Sequence, residues 1–130
     1  MTKSFLYKSS VDTTDTTPSK NGVKTITKYN YGDDSVLAEH IPYYDSTGSY
    51  VVESDIRINT YYPWANSGKP GYYDIQSVIT HELGHALRVF HSTVSSDTMY
   101  ASTPMNSESY RTVTSNDVDA VRDSTARWFQ

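Results

Sequence analysis

The 130-residue chain contains no cysteine. Disulfide scaffolds and thiolate zinc sites are therefore excluded, and a bound metal ion would have to be held by imidazole and carboxylate groups. A chain of this length buries roughly two-thirds of the surface that it exposes when unfolded, which is enough for a core without covalent cross-links. We therefore expect residues 1–130 to form a single domain.

The sequence also lacks an excess of positive charge and any long apolar run. Eleven Lys and Arg face fifteen Asp and Glu, giving a formal net charge of -4, and the basic residues are scattered singly. A nucleic-acid binder would carry a basic patch. No apolar run approaches the length of about 20 residues that spans a bilayer, and the opening "MTKSFLYKSS" is too polar for a secretory signal peptide. We therefore expect neither a nucleic acid nor a membrane as partner.

Alternation of β-branched or aromatic residues with polar ones predicts a small sheet. The segments with this pattern are 4–8, 23–29, 36–44 and 50–59. The chain has twelve tyrosines, with clusters in "KYNYG", "IPYYDS", "INTYYPW" and "GYYD", which suits either an exposed, hydrogen-bonding surface or an aromatic substrate cleft.

Two helices are predicted after the strands. The first runs from Ile75 to about Leu87, with Asp74 as its N-cap. On a helical wheel its apolar residues share one stripe, whereas His81 and His85 point nearly the other way, so we expect the histidines to lie off the core face.

The second helix is predicted within residues 112–129. Thr114 and Asp117 have the spacing of a capping box. One face, expected to pack on the core, is formed by Val118, Val121, Thr125 and Trp128.

The stretch "HELGHALRVFH", residues 81–91, holds three of the four histidines in the chain. Residues four apart on a helix project from one face about 6 Å apart along the axis, so His81 and His85 can reach one ion. Glu82 beside them can take a proton from water that such an ion activates. The pattern indicates zinc-dependent hydrolysis.

His91 is the candidate for a third ligand. If the helix simply continued, His91 would lie about 15 Å along the axis from His81, too far to bind the same ion. The helix must therefore end near Leu87, and the chain must turn back.

The motif resembles a known clan of zinc peptidases. The fixed positions of the metzincin consensus H-E-x-x-H-x-x-G-x-x-H are occupied by His81, Glu82, His85 and His91, and "DTMY" with Met99 resembles the Met-turn of that clan. Within the clan, the chain is most similar to the small bacterial matrixins, over roughly residues 50–130. The segment "SDIRINTYYPW" resembles the edge strand that lies along the matrixin cleft.

This resemblance implies a zinc-dependent endopeptidase that is secreted and monomeric and acts on a protein or peptide substrate. The implied fold is α+β, with a small twisted, mostly parallel sheet over the active-site helix and a C-terminal helix. Met99 would form an apolar floor beneath the zinc, and an extended substrate would pair with the strand around Asp55 to Asn59. The fourth zinc ligand would be water.

Two departures from the consensus stand out. Arg88 replaces the glycine that would end the helix in a left-handed conformation, which costs roughly 1 to 2 kcal/mol, less than zinc binding can contribute. At the front, strand-like "SFLYKSS" begins almost at once, where metzincins begin with a strand and a long helix.

Several alternatives stay open. Glu108 could be the third ligand instead of His91, as in gluzincins, although the spacing of His91 fits the consensus better. Tyr100 directly follows Met99, and Ala101 stands where some metzincins have a zinc-binding tyrosine. His40 lies in a strand-like segment distant in sequence, which is typical of a surface residue.

The metal itself has alternative interpretations. A non-catalytic, zinc-stabilised binding module is the competing function, although a purely structural site usually has four protein ligands and no need of Glu82. Asp33, Asp34 and Asp45 are the candidates for a structural calcium site, although isolated acidic residues are typical of a solvated loop.

Overall fold

The computed structural model describes residues 17–126, which adopt an α+β fold. Its strands are β1 (Ile26–Tyr29), β2 (Ala38–Tyr44), β3 (Val51–Asn59), β4 (Trp64–Ala65) and β5 (Tyr73–Asp74). Its helices are α1 (Ile75–Ala86), a short 3-10 helix (Ser109–Arg111) and α2 (Ser115–Ala126). The strand expected at 4–8 and the residue Trp128 lie outside the described residues. Within residues 17–126, no helix is both long enough and apolar enough to cross a membrane.

The main sheet has the strand order β1-β3-β2 and is mixed rather than mostly parallel. β1 runs parallel to β3, but β2 runs antiparallel to it over the longer register. The loop between β2 and β3 is short, so the two strands form a hairpin, which requires antiparallel pairing. Asp45 closes this turn, because its carboxylate accepts hydrogen bonds from the N–H groups of Ser49 and Tyr50.

The central strand β3 is covered on both faces. On one face Ile56 and Ile58 are each 3% exposed and form the apolar core with Val78 of α1. On the other face, buried Glu53 and Asp55 accept hydrogen bonds from backbone N–H groups of the segment 19–25. The sheet therefore binds the segment before β1 through carboxylates rather than apolar contacts.

Helix α1 begins where its N-cap was predicted. The Asp74 carboxylate accepts hydrogen bonds from the N–H and the hydroxyl of Ser77, at 3.0 and 2.8 Å. The guanidinium of Arg111 donates to both oxygens of the same carboxylate, which has no exposed surface. Asp74 thereby ties the segment after the Met-turn to the start of the site-bearing helix.

The buried face of α1 differs from the expected one. Its buried residues are Ser77, Val78, His81 and Glu82, whereas Leu83 of the apolar stripe is 37% exposed. The expectation that the histidines lie off the core face is therefore wrong for His81, whereas His85 is half-buried and lines a cleft. The apolar periodicity of this helix does not identify its buried face, because β2 and the Met-turn segment cover the side that carries His81 and Glu82.

Helix α1 ends as the position of His91 required. Arg88 has a φ of 63°, in the left-handed region. The N–H of Val89 donates to the carbonyl of Gly84 at 3.0 Å, and the N–H of Arg88 donates to the carbonyl of His85 at 2.8 Å. This is a Schellman motif, which satisfies carbonyls of the last helical turn.

Helix α2 is capped by the predicted pair. The Asp117 N–H donates to the Thr114 hydroxyl at 3.2 Å, and the Thr114 N–H donates to the Asp117 carboxylate at 2.9 Å. The face expected to pack on the core is only half-buried in its described part, at Val118, Val121 and Thr125. The hydroxyl of Ser124 donates to the carbonyl of Leu87 at 2.7 Å, so α2 also contacts the end of α1.

We predict that Arg88→Gly raises the free energy of unfolding by about 0.5 to 1 kcal/mol. Glycine removes a steric penalty of roughly 1 to 2 kcal/mol, of which part is offset by the larger entropy of its unfolded chain. Urea unfolding at an unchanged m-value measures this effect. Arg88→Ala, which keeps the strain, should be no more stable than the wild type. A clear loss of stability in Arg88→Gly would show that the arginine side chain contributes more than the strain costs.

We also predict an acid-sensitive contribution from Asp74. The Arg111 guanidinium holds the pKa of this carboxyl below its usual value, so its stabilising contribution is present above the unfolded pKa of about 3.9 and is lost as the pH falls through the folded pKa. The difference in Tm between the wild type and Asp74→Asn should be several degrees near neutral pH and shrink below about pH 4.

The control for this experiment is Asp119→Asn, which breaks an exposed ion pair with Arg122. It should change Tm little at any pH. A Tm difference for Asp74→Asn that stays constant down to about pH 2.5 would contradict the assignment of this shift to the ionised carboxylate.

Candidate metal centre

Three histidines converge at the C-terminal half of α1. The Nε2 of His91 lies 3.3 Å from the Nε2 of His81 and 3.2 Å from that of His85. A tetrahedral zinc ion with Zn–N bonds of 2.0–2.1 Å places its ligand nitrogens about 3.3 Å apart. Both distances therefore fit zinc, and the three ligand atoms all lie within 4.8 Å of one another. Among residues 17–126, no other group of three or more His, Asp or Glu is arranged to hold a metal ion.

Backbone carbonyls orient two of these imidazoles. The Nδ1 of His81 lies 2.7 Å from the carbonyl oxygen of Thr98, and the Nδ1 of His85 lies 2.8 Å from that of Val89. A carbonyl only accepts hydrogen bonds, so each Nδ1 carries the proton and each Nε2 has its lone pair free. Burial lowers the pKa of both histidines, which favours the neutral form that binds a metal.

The turn after α1 brings His91 back to the helix. Val89 is 5% exposed, and its buried side chain anchors the chain directly after the left-handed Arg88. On the other side of His91, the N–H of Ser92 donates to the carbonyl of Met99 at 2.8 Å. His91 is therefore held between two fixed neighbours.

Met99 packs directly against α1. Its side chain is 3% exposed, and a Cβ added to Gly84 would lie 2.2 Å from its sulfur. A residue larger than glycine at position 84 would have to displace the thioether. Gly84 occupies one of the two variable positions of the motif H-E-x-x-H. The motif therefore does not reveal that a glycine is needed at this position.

A buried carboxylate holds the Met-turn in place. Asp117 is 3% exposed and accepts hydrogen bonds from the N–H groups of Thr98 and Met99, at 2.9 and 3.1 Å. Burial alone would raise the pKa of Asp117, but the hydrogen bonds from Thr114, Thr98 and Met99 hold it below its usual value. Asp117 thus fixes the peptide whose carbonyl orients His81. Sequence analysis identified Asp117 only as a capping residue.

Glu82 lies on the buried face of α1 beside the histidines and is 7% exposed. Its pKa is raised to about 7, mainly by burial; the backbone N–H of His40, directed towards the carboxylate, opposes this shift, and the nearby charge of Glu39 adds to it. A carboxylate with a pKa near neutrality can both accept and return a proton.

A cleft of about 740 Å³ opens over these residues, between α1 and β2. The N–H of His40 points from β2 towards Glu82, so this side of β2 carries no neighbouring strand of the described sheet.

The expectation that the strand around Asp55 to Asn59 lines the cleft as an edge strand is wrong. That strand is β3, which is paired on both sides. Alternation in the sequence does not distinguish an edge strand from a central one.

His40 is a cleft residue rather than a surface residue. It is half-buried, its Nε2 lies 2.8 Å from the hydroxyl of Ser54, and its ring centroid lies 6.5 Å from that of His85. His40 is not part of the metal-holding group. Nothing in its local sequence indicated this position, which depends on the pairing of β2 with β3.

The remaining candidates lie apart from the histidines. Glu108 accepts a hydrogen bond from the N–H of Gly68 at 2.7 Å, so it is not the third ligand. Asp33 and Asp45 accept hydrogen bonds from backbone N–H groups of their own turns, and Asp34 joins no metal-holding group among the described residues. Calcium at these positions stays a prediction.

A comparison with models of protein families gives one finding. The family model described as Matrixin matches residues 23–124, which include every described strand and nearly all of α2. No curated protein matches the chain.

We predict that Asp117→Asn lowers zinc affinity about tenfold, because outer hydrogen bonds of this kind typically change metal affinity 10- to 100-fold. An amide keeps only one acceptor oxygen for three N–H donors, so the Thr98 carbonyl loses its fixed position. Competition with a chromogenic chelator measures the affinity.

The control is Asp123→Asn, an exposed position on the same helix, which should leave zinc affinity unchanged. If Asp117→Asn lowered Tm but bound zinc as tightly as the wild type, Asp117 would act as a helix cap alone.

Proposed function

The chain belongs to the matrixin family of metallopeptidases, and we propose that it is a zinc-dependent endopeptidase that hydrolyses peptide bonds with activated water. One observation carries the proposal above all others. Three imidazole nitrogens converge with zinc spacing, and a buried glutamate with a raised pKa lies beside them on the floor of an open cleft.

In this proposal His81, His85 and His91 hold the metal as neutral ligands. Two of them are fixed in the required tautomer by the carbonyls of Thr98 and Val89. A zinc ion bound there would polarise the scissile carbonyl and make water more acidic. Three protein ligands leave a fourth position open, as catalytic zinc sites require.

Glu82 is the proposed general base. Its pKa of about 7 suits a group that removes a proton from the attacking water and then passes that proton to the leaving amine. Because Glu82 is buried, bulk water is excluded from its carboxylate. The N–H of His40 orients this carboxylate towards β2.

The substrate is proposed to lie extended along β2 and to add a strand to the sheet. The carbonyl of Leu37 accepts from β3, so the alternate residues Ala38, His40 and Pro42 direct their backbone groups towards the cleft. Pro42 has no N–H to donate, and the N–H of His40 is directed towards Glu82, so Ala38 offers an N–H donor on this edge.

Several properties remain predictions from the family. These are secretion, a monomeric state, one catalytic domain over residues 1–130 and the role of Met99 as an apolar floor. The non-catalytic binding module is the competing function, and the cleavage assay of the zinc-loaded wild type below distinguishes it from a peptidase. A structural zinc site usually has four protein ligands, whereas the group here has three.

We predict that Glu82→Ala binds one zinc ion per chain and loses turnover by about 100- to 10,000-fold, because the base is removed and no ligand is lost. Zinc content by mass spectrometry and cleavage of an unstructured protein test both parts.

Two control variants test this interpretation. His85→Ala should lose both zinc and activity, whereas Glu108→Gln should keep both. Zinc loss in Glu82→Ala would make Glu82 a structural residue. Zinc-loaded wild type that cleaves no unstructured substrate would favour the binding module.

A further inference from the structure

The third histidine of the metal-holding group differs from the other two in how its ring is held. The Nδ1 atoms of His81 and His85 each lie against a backbone carbonyl, at 2.7 and 2.8 Å. Among residues 17–126, the Nδ1 of His91 has no hydrogen-bond partner, and its side chain is exposed. The position of the His91 ring therefore depends on the backbone on either side of it.

One of those sides is the loop of residues 92–100, which closes on itself. Its two ends are joined, because the N–H of Ser92 donates to the carbonyl of Met99 at 2.8 Å. Within the loop, the N–H of Asp97 donates to the carbonyl of Val94 at 3.1 Å, and the N–H of Val94 donates to the hydroxyl of Ser92 at 3.0 Å. The loop therefore has a fixed shape.

Asp97 joins this loop to the second helix. Its side chain is buried, at 1% exposure. Its carboxylate accepts hydrogen bonds from the hydroxyl of Ser92 at 2.5 Å and from the hydroxyl of Thr114, directly before α2, at 2.7 Å. The amide of Asn116 donates to it over a longer distance of 3.5 Å. The residue that directly follows His91 is thus attached to the start of α2.

Both hydroxyls have their protons available for Asp97. The Ser92 hydroxyl already accepts from the N–H of Val94, and the Thr114 hydroxyl accepts from the N–H of Asp117. The Thr114 hydroxyl lies closer to the carboxylate of Asp97, at 2.7 Å, than to that of Asp117, at 3.0 Å. In the described part of the chain, no Lys or Arg forms an ion pair with Asp97. Its negative charge is therefore stabilised by neutral donors, in hydrogen bonds about twice as strong as those between neutral groups.

We propose that Asp97 is a positioning residue for the third metal ligand. Its hydrogen bond with Ser92 fixes the turn that carries His91, and its hydrogen bond with Thr114 fixes that turn against α2. Asp97 is not part of the metal-holding group, so its effect reaches the metal through Ser92 and His91. This proposal rests on the zinc site of the proposed function.

Zinc affinity, measured by competition with a chromogenic chelator, tests this role without reference to cleavage. Asp97→Asn should bind zinc about tenfold more weakly than the wild type, because outer hydrogen bonds of this kind change metal affinity about 10- to 100-fold. Ser92→Ala should have a similar effect, whereas Ser92→Thr keeps the hydroxyl and should retain most of the affinity. In the double variant of Asp97→Asn and Ser92→Ala the two losses should not add, because both substitutions break the same hydrogen bond. Additive losses would overturn the action through Ser92.

A background without His91 tests whether the effect is specific to the third ligand. Isothermal titration with zinc measures the weaker affinity of His91→Ala. Asp97→Asn should not weaken zinc binding further in this background, since the ligand that it positions is gone. Asp117→Asn should still weaken it, because Asp117 acts on His81 through Thr98. An equal loss from Asp97→Asn with and without His91 would overturn the proposal.

Asp55→Asn is the matched control for a loss of stability. Asp55 is also 1% exposed and also accepts two hydrogen bonds, but it lies on the face of the sheet that is turned away from α1. This variant should lower Tm and leave zinc affinity unchanged. If Asp97→Asn lowered Tm but bound zinc as tightly as the wild type, Asp97 would be a structural residue and the proposal would be overturned.

These measurements separate the positioning role from the peptidase function. A wild type that binds zinc but cleaves no unstructured protein would overturn the peptidase proposal, and the affinities would still decide the role of Asp97. Cleavage by the wild type together with unchanged zinc affinity in Asp97→Asn would overturn the positioning role alone. A wild type that binds no zinc would overturn both.

Discussion

Three imidazole nitrogens can meet at one point only because helix α1 ends after His85 and before His91. The Schellman turn and the positive φ of Arg88 reverse the chain within two residues of the helix end. Burial of Val89 fixes the reversal, and its carbonyl orients His85 in return. The same backbone feature thus places one histidine and selects the tautomer of another.

The opposite side of the site depends on a relay of hydrogen bonds. Asp117 accepts from two successive N–H groups of the Met-turn, and the carbonyl of that turn at Thr98 orients His81. Gly84 leaves room for the Met99 side chain between this relay and α1. Asp117 in α2 therefore influences His81, a proposed ligand in α1, through the Met-turn, and motif spacing alone does not reveal this link.

Buried carboxylates organise much of this fold. The buried hydrophobic residues among 17–126 are Ile56, Ile58, Val78, Val89 and Met99. Buried acidic side chains at Glu53, Asp55, Asp74 and Asp117 instead accept backbone N–H groups and join separate segments. An ionised carboxylate with several donors makes strong, directional contacts, so segments without apolar side chains can still be fixed. Such contacts are directional enough to define loop positions near a cleft.

The sequence by itself determined the features that depend on neighbours within a few residues. These are the limits of α1, its cap Asp74, the capping box of α2, the left-handed Arg88 and the requirement that His91 turn back, since local spacing and dihedral angles decide them. Only the tertiary structure decided the mixed sheet, the buried face of α1, the edge position of β2 and the presence of His40 in the cleft. Each of these depends on which distant segment covers a surface, and alternation or helical periodicity describes a surface without identifying the segment that covers it.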